Sequence, residues 1–500
     1  MSLYKLTDLK LVSNNIKLII EKIEKEKMKL FDKTVDTIAI PENVSDTENE
    51  KIETTESENT ESEKTDEKTQ IIKKEQKELT DVDIKNIIKL TLKFVSDKQR
   101  KVYGGYAQNK IIENKNKNDA FYKEDDIPDI DVYSFEPIED LIELCNIFFQ
   151  NGYEDVIGKE AIHKETYKIF IRNYNAIDIS YVPRLIYHNI PYIEINTIKY
   201  VHPLFSMIDM YRMLTEPLYS SFRWEKIFPR LFLLQKYYPF PTVIGDLPKN
   251  KVSSDEQKIL DIVYDFLKKT KTIIFVGDYA YNIFCPSNKI GINHYEVIST
   301  CYRHDALNLI DELNKHCNTI FKTEFYPFFQ FLGHSVSIIC NDKKIVTLYN
   351  YNKRCTSYLE TLDNTNIIKI GTFDVTFMFE LILSLKMKVI KDTNAKKIRD
   401  IKITNLINCR ENYLTKHNKT LLDDTIYKSF VITCCGIGVD PREEAKKSKE
   451  DKKLKKKSSF FYKPPNPKPS TKWIFLNSSG NQINKPNNLK IVKDKKQSKP

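Results

Sequence analysis

Five residues have the types and spacing to carry phosphoryl-transfer chemistry: Gly104, Gly105, Asp129, Asp131 and Asp178. Residues 128–134 read PDIDVYS, a pattern that predicts a strand. Side chains two apart on a strand share a face, so Asp129 and Asp131 point the same way. Residues 176–182, AIDISYV, predict a second strand in which isoleucines flank Asp178 and turn away from it into a core. A carboxylate in such apolar company is costly unless it is paired or metal-bound. Two hard cations roughly 3.5 to 4 Å apart need bridging oxygen ligands, which paired carboxylates on one strand face supply. Upstream, residues 101–109, KVYGGYAQN, read as a strand, a two-glycine turn and a helix start. Glycine lets the backbone pass close to a polyphosphate, and the free N–H groups of a helix N-terminus attract it. Tyr106, Asn109, Lys110, Arg212, Arg223 and Lys226 are further polar groups within reach of a base, ribose or phosphate, although tyrosine or arginine at helical spacing more often packs or faces solvent.

A double glycine opening a helix, then Asp-x-Asp on a strand, then a lone Asp between isoleucines is similar to the signature of the polymerase-beta-like nucleotidyltransferases. With the Tyr- and Asn-rich surroundings and the expected helical stretch 199–212, KYVHPLFSMIDMYR, the chain resembles the poly(A) polymerase catalytic subunits of poxviruses and giant DNA viruses over residues 80–440. Gly105 and Asp129 stand further apart than that signature usually has them, with the charged insertion 113–119 between. The resemblance implies template-independent addition of AMP from ATP to an RNA 3′ end, with Asp129, Asp131 and Asp178 holding two Mg²⁺ or Mn²⁺ ions. Gly104, Gly105, Tyr106 and Asn109 are then expected to bind the nucleotide. It also implies residence in the viral factory of the host cytoplasm and in the virion, and association either as a homodimer or with a viral processivity subunit. CCA- or U-adding chemistry stays open, because base choice is not written in these residues. A non-catalytic RNA-binding scaffold is the alternative from another class, and a metal-dependent glycosyltransferase, which needs neither Asp178 nor the glycines, is a distant third.

Five hundred residues exceed one compact core and suggest two or three domains. The net charge of +10 is unevenly placed: residues 441–500 carry 18 basic and 5 acidic side chains, so the rest of the chain is slightly acidic. Nine cysteines without a CxxC pair predict reduced thiols in an intracellular compartment and no zinc site. The N-terminus lacks the apolar core of a signal peptide, and the longest apolar run, 375–385, is too short to span a bilayer and contains Glu380.

The expected architecture is α/β (α+β): a mixed nucleotidyltransferase sheet with helices, then a second, degenerate copy. Helices are expected over 1–40, an acidic disordered linker over 41–79, the catalytic domain over 80–195, a helical connector over 196–250, the degenerate domain over 251–440 and a basic disordered tail over 441–500. The linker expectation rests on 11 acids against 3 lysines in residues 41–70 with almost nothing to bury. The duplication rests on residues 275–282, FVGDYAYN, which match 102–109, VYGGYAQN, at four of eight positions. Comparable elements follow in the same order, placing His294, Glu296 and Thr347 where Asp129, Asp131 and Asp178 stand. Threonine is uncharged and histidine offers nitrogen, so the second copy is not expected to hold Mg²⁺.

Overall fold

The structure, a computed structural model, describes residues 1–35 and 78–436, with breaks at 124–125, 162–164, 249–251, 328–333, 351–354 and 364–365, and part of the C-terminal stretch, chiefly 460–465. The acidic linker expected over 41–79 therefore lies almost wholly outside the described residues.

The chain builds two mixed sheets of eight strands each. The first contains β1 (Lys101–Tyr103), β2 (Asp131–Ser134), β3 (Val156–Glu160), β4 (Thr166–Ile171), β5 (Tyr174–Tyr181), β6 (Tyr192–Ile195) and β7 (Ile198–Val201). The second contains β8 (Ile273–Val276), β9 (Tyr295–Ser299), β10 (Phe321–Pro327), β11 (His334–Cys340), β12 (Lys343–Asn350), β13 (Thr356–Asp363), β14 (Asn366–Gly371) and β15 (Cys434–Cys435). A further strand, β16 (Phe461–Tyr462), returns to the first sheet. The spatial orders are β16-β3-β4-β5-β2-β1-β7-β6 and β10-β11-β12-β9-β8-β14-β13-β15. Seven strands thus recur in the same order in both sheets, which is the expected duplication written in topology.

The helices repeat as well. From the first copy come α1 (Leu6–Val35), α2 (Asp81–Asp97), α3 (Gly104–Glu113), α4 (Pro137–Gln150), α5 (Arg184–Asn189), α6 (Pro203–Leu214), α7 (Pro217–Ser220) and α8 (Trp224–Tyr237). From the second come α9 (Ser254–Lys269), α10 (Gly277–Phe284), α11 (Tyr302–His316), α12 (Phe373–Val389) and α13 (Thr393–Lys416). Capping boxes at Thr80 and Ser253 start α2 and α9, so even the entry signals correspond. Ile87 and Phe94 of α2, with Leu141, Leu144 and Phe148 of α4, cover one face of the first sheet through Val132, Ile177 and Ile179. Residues of α9 and α11 cover the second sheet in the same way. The opposite faces meet a shared central cluster built from α1, α6, α8, α10, α12 and α13. The apolar run 375–385 lies in α12, buried all round, and among the described residues no helix is long and apolar enough to cross a membrane.

Four expectations are corrected. The first sheet does not end at 195: β6 and β7 form a hairpin whose second strand pairs parallel with β1, so part of the supposed connector belongs to the sheet. Residues 460–465 of the supposed disordered tail are ordered, with Phe461 and Tyr462 extending the edge at β3 and Tyr462 Oη donating to Asn146 Oδ1 at 2.7 Å. The strand expected over 128–134 begins at Asp131, leaving Asp129 exposed in the segment before it. The nine cysteines are not all reduced, because Cys355 and Cys434 form a disulfide. Sheet pairing of β15 with β13 brings their Cα atoms to 5.2 Å across a sequence separation of 79, a proximity no local spacing reveals.

Candidate active site

β1, α3, β2 and β5 assemble the site. β2 runs antiparallel to β1, setting Asp131 opposite Tyr103, and parallel to β5, setting Asp131 beside Asp178. Asp131 and Asp178 therefore share a face with Tyr103, Tyr133 and Ser180, while Val132, Ile177 and Ile179 point into the core behind. Tyr103 stacks on Tyr133 at 3.8 Å and hydrogen-bonds Ser180 Oγ at 2.8 Å, tying the three strands together on the acid side.

Gly104 begins α3 with φ +72°, a conformation that only glycine adopts freely. A Cβ there would lie 2.2 Å from Asp131 Oδ2, so glycine is required both by the backbone and by the carboxylate beneath it. At Gly105 a Cβ would meet the Tyr122 hydroxyl at 2.5 Å and Arg230 Nη1 at 2.8 Å. Among the described residues no side chain caps α3, leaving its first N–H groups directed out of the turn.

The acids crowd one another. The Asp131 carboxyl is pushed up to about 7, first by burial, then by Asp178 and Asp129, with Lys168 and Arg223 opposing. On the other side, the Lys226 ammonium is lowered by burial and by Arg223 and Arg230, while Asp129 and Asp131 pull it back up. Arg223, just before α8, and Lys226 within it thus lie near the acids, with Arg230 one turn on beside Gly105. Arg230 also lies over the Phe121 ring at 4.3 Å. Sequence reasoning missed Arg230; its four-residue spacing from Lys226 was the available signal, masked by Pro229 between them.

Asp178 is engaged by protein groups on both oxygens: Lys168 Nζ reaches Oδ2 at 2.6 Å, and Asn175 Nδ2 donates to Oδ1 at 2.8 Å. Accordingly, among the described residues no group of three His, Cys, Asp or Glu side chains stands gathered as a metal-holding set. The donor chemistry nevertheless fits hard divalent cations: all three groups are carboxylates, and a cation would offset the burial and the Asp178 and Asp129 charges that push the Asp131 carboxyl up.

Two of the expected nucleotide ligands are buried. Tyr106 is buried in the core with Lys110 over its ring, its phenol pushed up to about 12 mainly by burial. Asn109 is buried too, and its Oδ1 accepts the N–H groups of Phe121 and Tyr122 at 2.8 and 3.0 Å. The Asn109 carbonyl oxygen is thus committed to the loop that follows α3, and the Tyr106 ring to the packing beneath the helix. Arg212 is pinned between Asp209 and Glu216 at 2.7 and 2.8 Å. The insertion 113–119 closes α3 and is anchored to α8 through Asp119, which pairs with Lys236 at 2.5 Å and with Tyr237.

In the second copy the counterparts fall in the same registers. Glu296 lies opposite Val276 and beside Thr347. Gly277 has φ +58°, and a Cβ there would lie 2.4 Å from Glu296 Oε2. Asp278 stands where the first copy has Gly105. Every acid here has an internal partner. Glu296 accepts from Tyr349 Oη at 2.6 Å and lies 4.0 Å from Arg399, Arg399 binds Glu380 at 3.1 Å, and Lys402 pairs with Asp278. His294 and Ser337 both hydrogen-bond Thr347 Oγ1, at 2.8 and 2.9 Å.

Comparison with known proteins agrees with this geometry. The family model for the poly(A) polymerase catalytic subunit matches residues 87–220, and the model for the C-terminal region of the APMV poly(A) polymerase catalytic subunit matches residues 234–493. A protein of Acanthamoeba polyphaga mimivirus named as a poly(A) polymerase catalytic subunit is 30% identical over 453 residues, covering 81% of this chain and 78% of that one. A like-named African swine fever virus protein (strain Badajoz 1971 Vero-adapted) is 27% identical over 175 residues, 34% of this chain and 36% of its own. The crystal structure of the Megavirus polyadenylate synthase superposes with a TM-score of 0.71 at 32% identity, covering 82% of this chain and 87% of that one. The chain belongs to the family of poly(A) polymerase catalytic subunits.

Proposed function

We propose that Asp129, Asp131 and Asp178 are the catalytic acids of this poly(A) polymerase, adding AMP from ATP to the 3′ end of mRNA. The observation that carries this reading is the parallel register of Asp131 with Asp178 directly beneath the Gly104 turn. The primer 3′-oxygen attacks the α-phosphorus of ATP in line. The new O–P bond forms as the bond to the β-phosphate oxygen breaks and pyrophosphate leaves. Gly104 and Gly105 let the triphosphate approach the N–H groups of α3, while Arg223, Lys226 and Arg230 offset its charge from the α8 side. The Asp178 carboxylate, on β5 and separated from the glycine turn by β2, accepts the hydroxyl proton. Two Mg²⁺ or Mn²⁺ ions held by the three acids would supply charge neutralisation of the leaving group and lower the pKa of the attacking hydroxyl.

The relatives that match are viral, which supports action in the viral factory of the host cytoplasm and packaging in the virion. Working as a homodimer or with a processivity subunit follows from the family resemblance alone. The test is extension of an RNA primer by purified protein with Mg²⁺ or Mn²⁺ and each nucleoside triphosphate in turn. A ladder with ATP alone is expected. A ladder with UTP, or CCA addition, would reassign the base choice, and RNA binding without extension would leave a scaffold.

A further inference from the structure

Across the first sheet the order is β1, β2, β5, β4. The triphosphate enters at β1, where α3 opens, and Asp131 and Asp178 follow on β2 and β5. Lys168 comes last, on β4, in register with Asp178 and bound to it at 2.6 Å. An in-line displacement puts the attacking oxygen opposite the leaving pyrophosphate, so the primer must arrive from the β4 side. Lys168 is the cation that meets it there, and its side chain is 30% exposed. The second copy supplies an internal control. Ser337 is paired with Thr347 as Lys168 is with Asp178, and the two hydroxyls hydrogen-bond at 2.9 Å. Where the acid is gone, the lysine is gone with it, as expected if the two work as a pair.

Resting on the assignment of the three acids above, we propose that Lys168 is a primer-positioning residue. Its ammonium holds Asp178 in the ligand-free enzyme, and when a divalent cation takes that carboxylate it passes to the last internucleotide phosphate of the RNA. Lys168 thereby both competes with the cation and rewards its arrival, making tight primer binding conditional on metal.

The test measures binding of a 5′-fluorescein RNA oligomer to the full chain by anisotropy, in Mn²⁺ and in EDTA, for wild type, Lys168→Met and Lys168→Arg. In Mn²⁺, Lys168→Met is expected to bind about tenfold more weakly, and its slope of log affinity against log salt to fall by about 0.7, one single-strand phosphate contact. In EDTA it should bind like wild type, and Lys168→Arg should recover most of the loss. An oligomer whose last linkage is a neutral methylphosphonate should lower wild-type affinity equally and leave Lys168→Met unaffected. The Mn²⁺ concentration giving half of the maximal thermal shift should fall in Lys168→Met. Equal affinities in Mn²⁺, or an equal loss in Mn²⁺ and EDTA, would overturn the proposal. Primer extension by Asp131→Asn keeps the two levels apart. If that variant is inactive while Lys168→Met binds as wild type, Lys168 alone is misassigned; if Asp131→Asn is active, the acids themselves are.

Discussion

The two sheets answer the same electrostatic problem in opposite ways. Both bend the chain through a positive-φ glycine onto a carboxylate, Asp131 under Gly104 and Glu296 under Gly277. Both brace the strand beneath through a serine bound to a helix aspartate at 2.5 Å, Ser134 with Asp140 and Ser299 with Asp305. In the first sheet Asp131 is left crowded by Asp178 and Asp129, with Lys168 of β4 paired to Asp178 and with Arg223 and Lys226 at the start of α8. In the second, α13 brings Arg399 and Lys402 inward to neutralise Glu296, Glu380 and Asp278. An acid at 278 in place of the second glycine would also repel a triphosphate at the helix start. The same glycine turn over a strand carboxylate can therefore sit in a crowded acid cluster in one copy and in an internally paired core in the other.

The largest effect that sharpens this contrast is on chemistry. Asp129→Ala, Asp178→Ala or Asp131→Ala should lower primer extension by about a thousandfold or more while RNA binding persists, since electrostatic stabilisation carries most of a phosphoryl transfer. A variant within tenfold of wild type would break the comparison at its stronger half.

Next in size is stability in the second copy. Arg399→Met leaves Glu380, fully buried, and Glu296 without their guanidinium. Removing one partner of a buried pair should cost about 3–5 kcal/mol, read as a fall in urea midpoint. An unchanged midpoint would show that Arg399 does not hold this core.

Smaller still is a pH effect in the first copy. The Asp131 carboxyl sits near 7 in the folded chain, above its unfolded value of about 4, so folding binds a proton between those pH values. In EDTA, stability should decline as pH rises through that window and level off above it. Asp131→Asn should remove the decline and stabilise the protein at pH 8 by about 1–3 kcal/mol. A melting temperature that rises across the same window would reverse the sign and contradict the crowding.

How much of this the sequence discloses depends on how local each signal is. The i, i+2 spacing of Asp129 and Asp131, the double glycine and the apolar flanks of Asp178 are local signals. The repeat was visible because FVGDYAYN still resembles VYGGYAQN. Lys168 was invisible, since only pairing of β4 with β5 brings it to Asp178. Arg399 and Lys402 lie about a hundred residues beyond Glu296, and nothing local ties them to it. Strand β16 was hidden by composition, because a lysine- and proline-rich tail outweighed three consecutive aromatics at 460–462. The β6–β7 hairpin was hidden by its place between a finished motif and a run of helices.

The most direct measurement is primer extension with ATP by the matched pair Asp131→Asn and Glu296→Gln, the same isosteric change at the same register of each sheet. Extension lost in Asp131→Asn and kept near wild type in folded Glu296→Gln is the predicted result. Extension kept in the first, or lost in the second with its fold and RNA binding intact, would contradict the division of labour between the two copies.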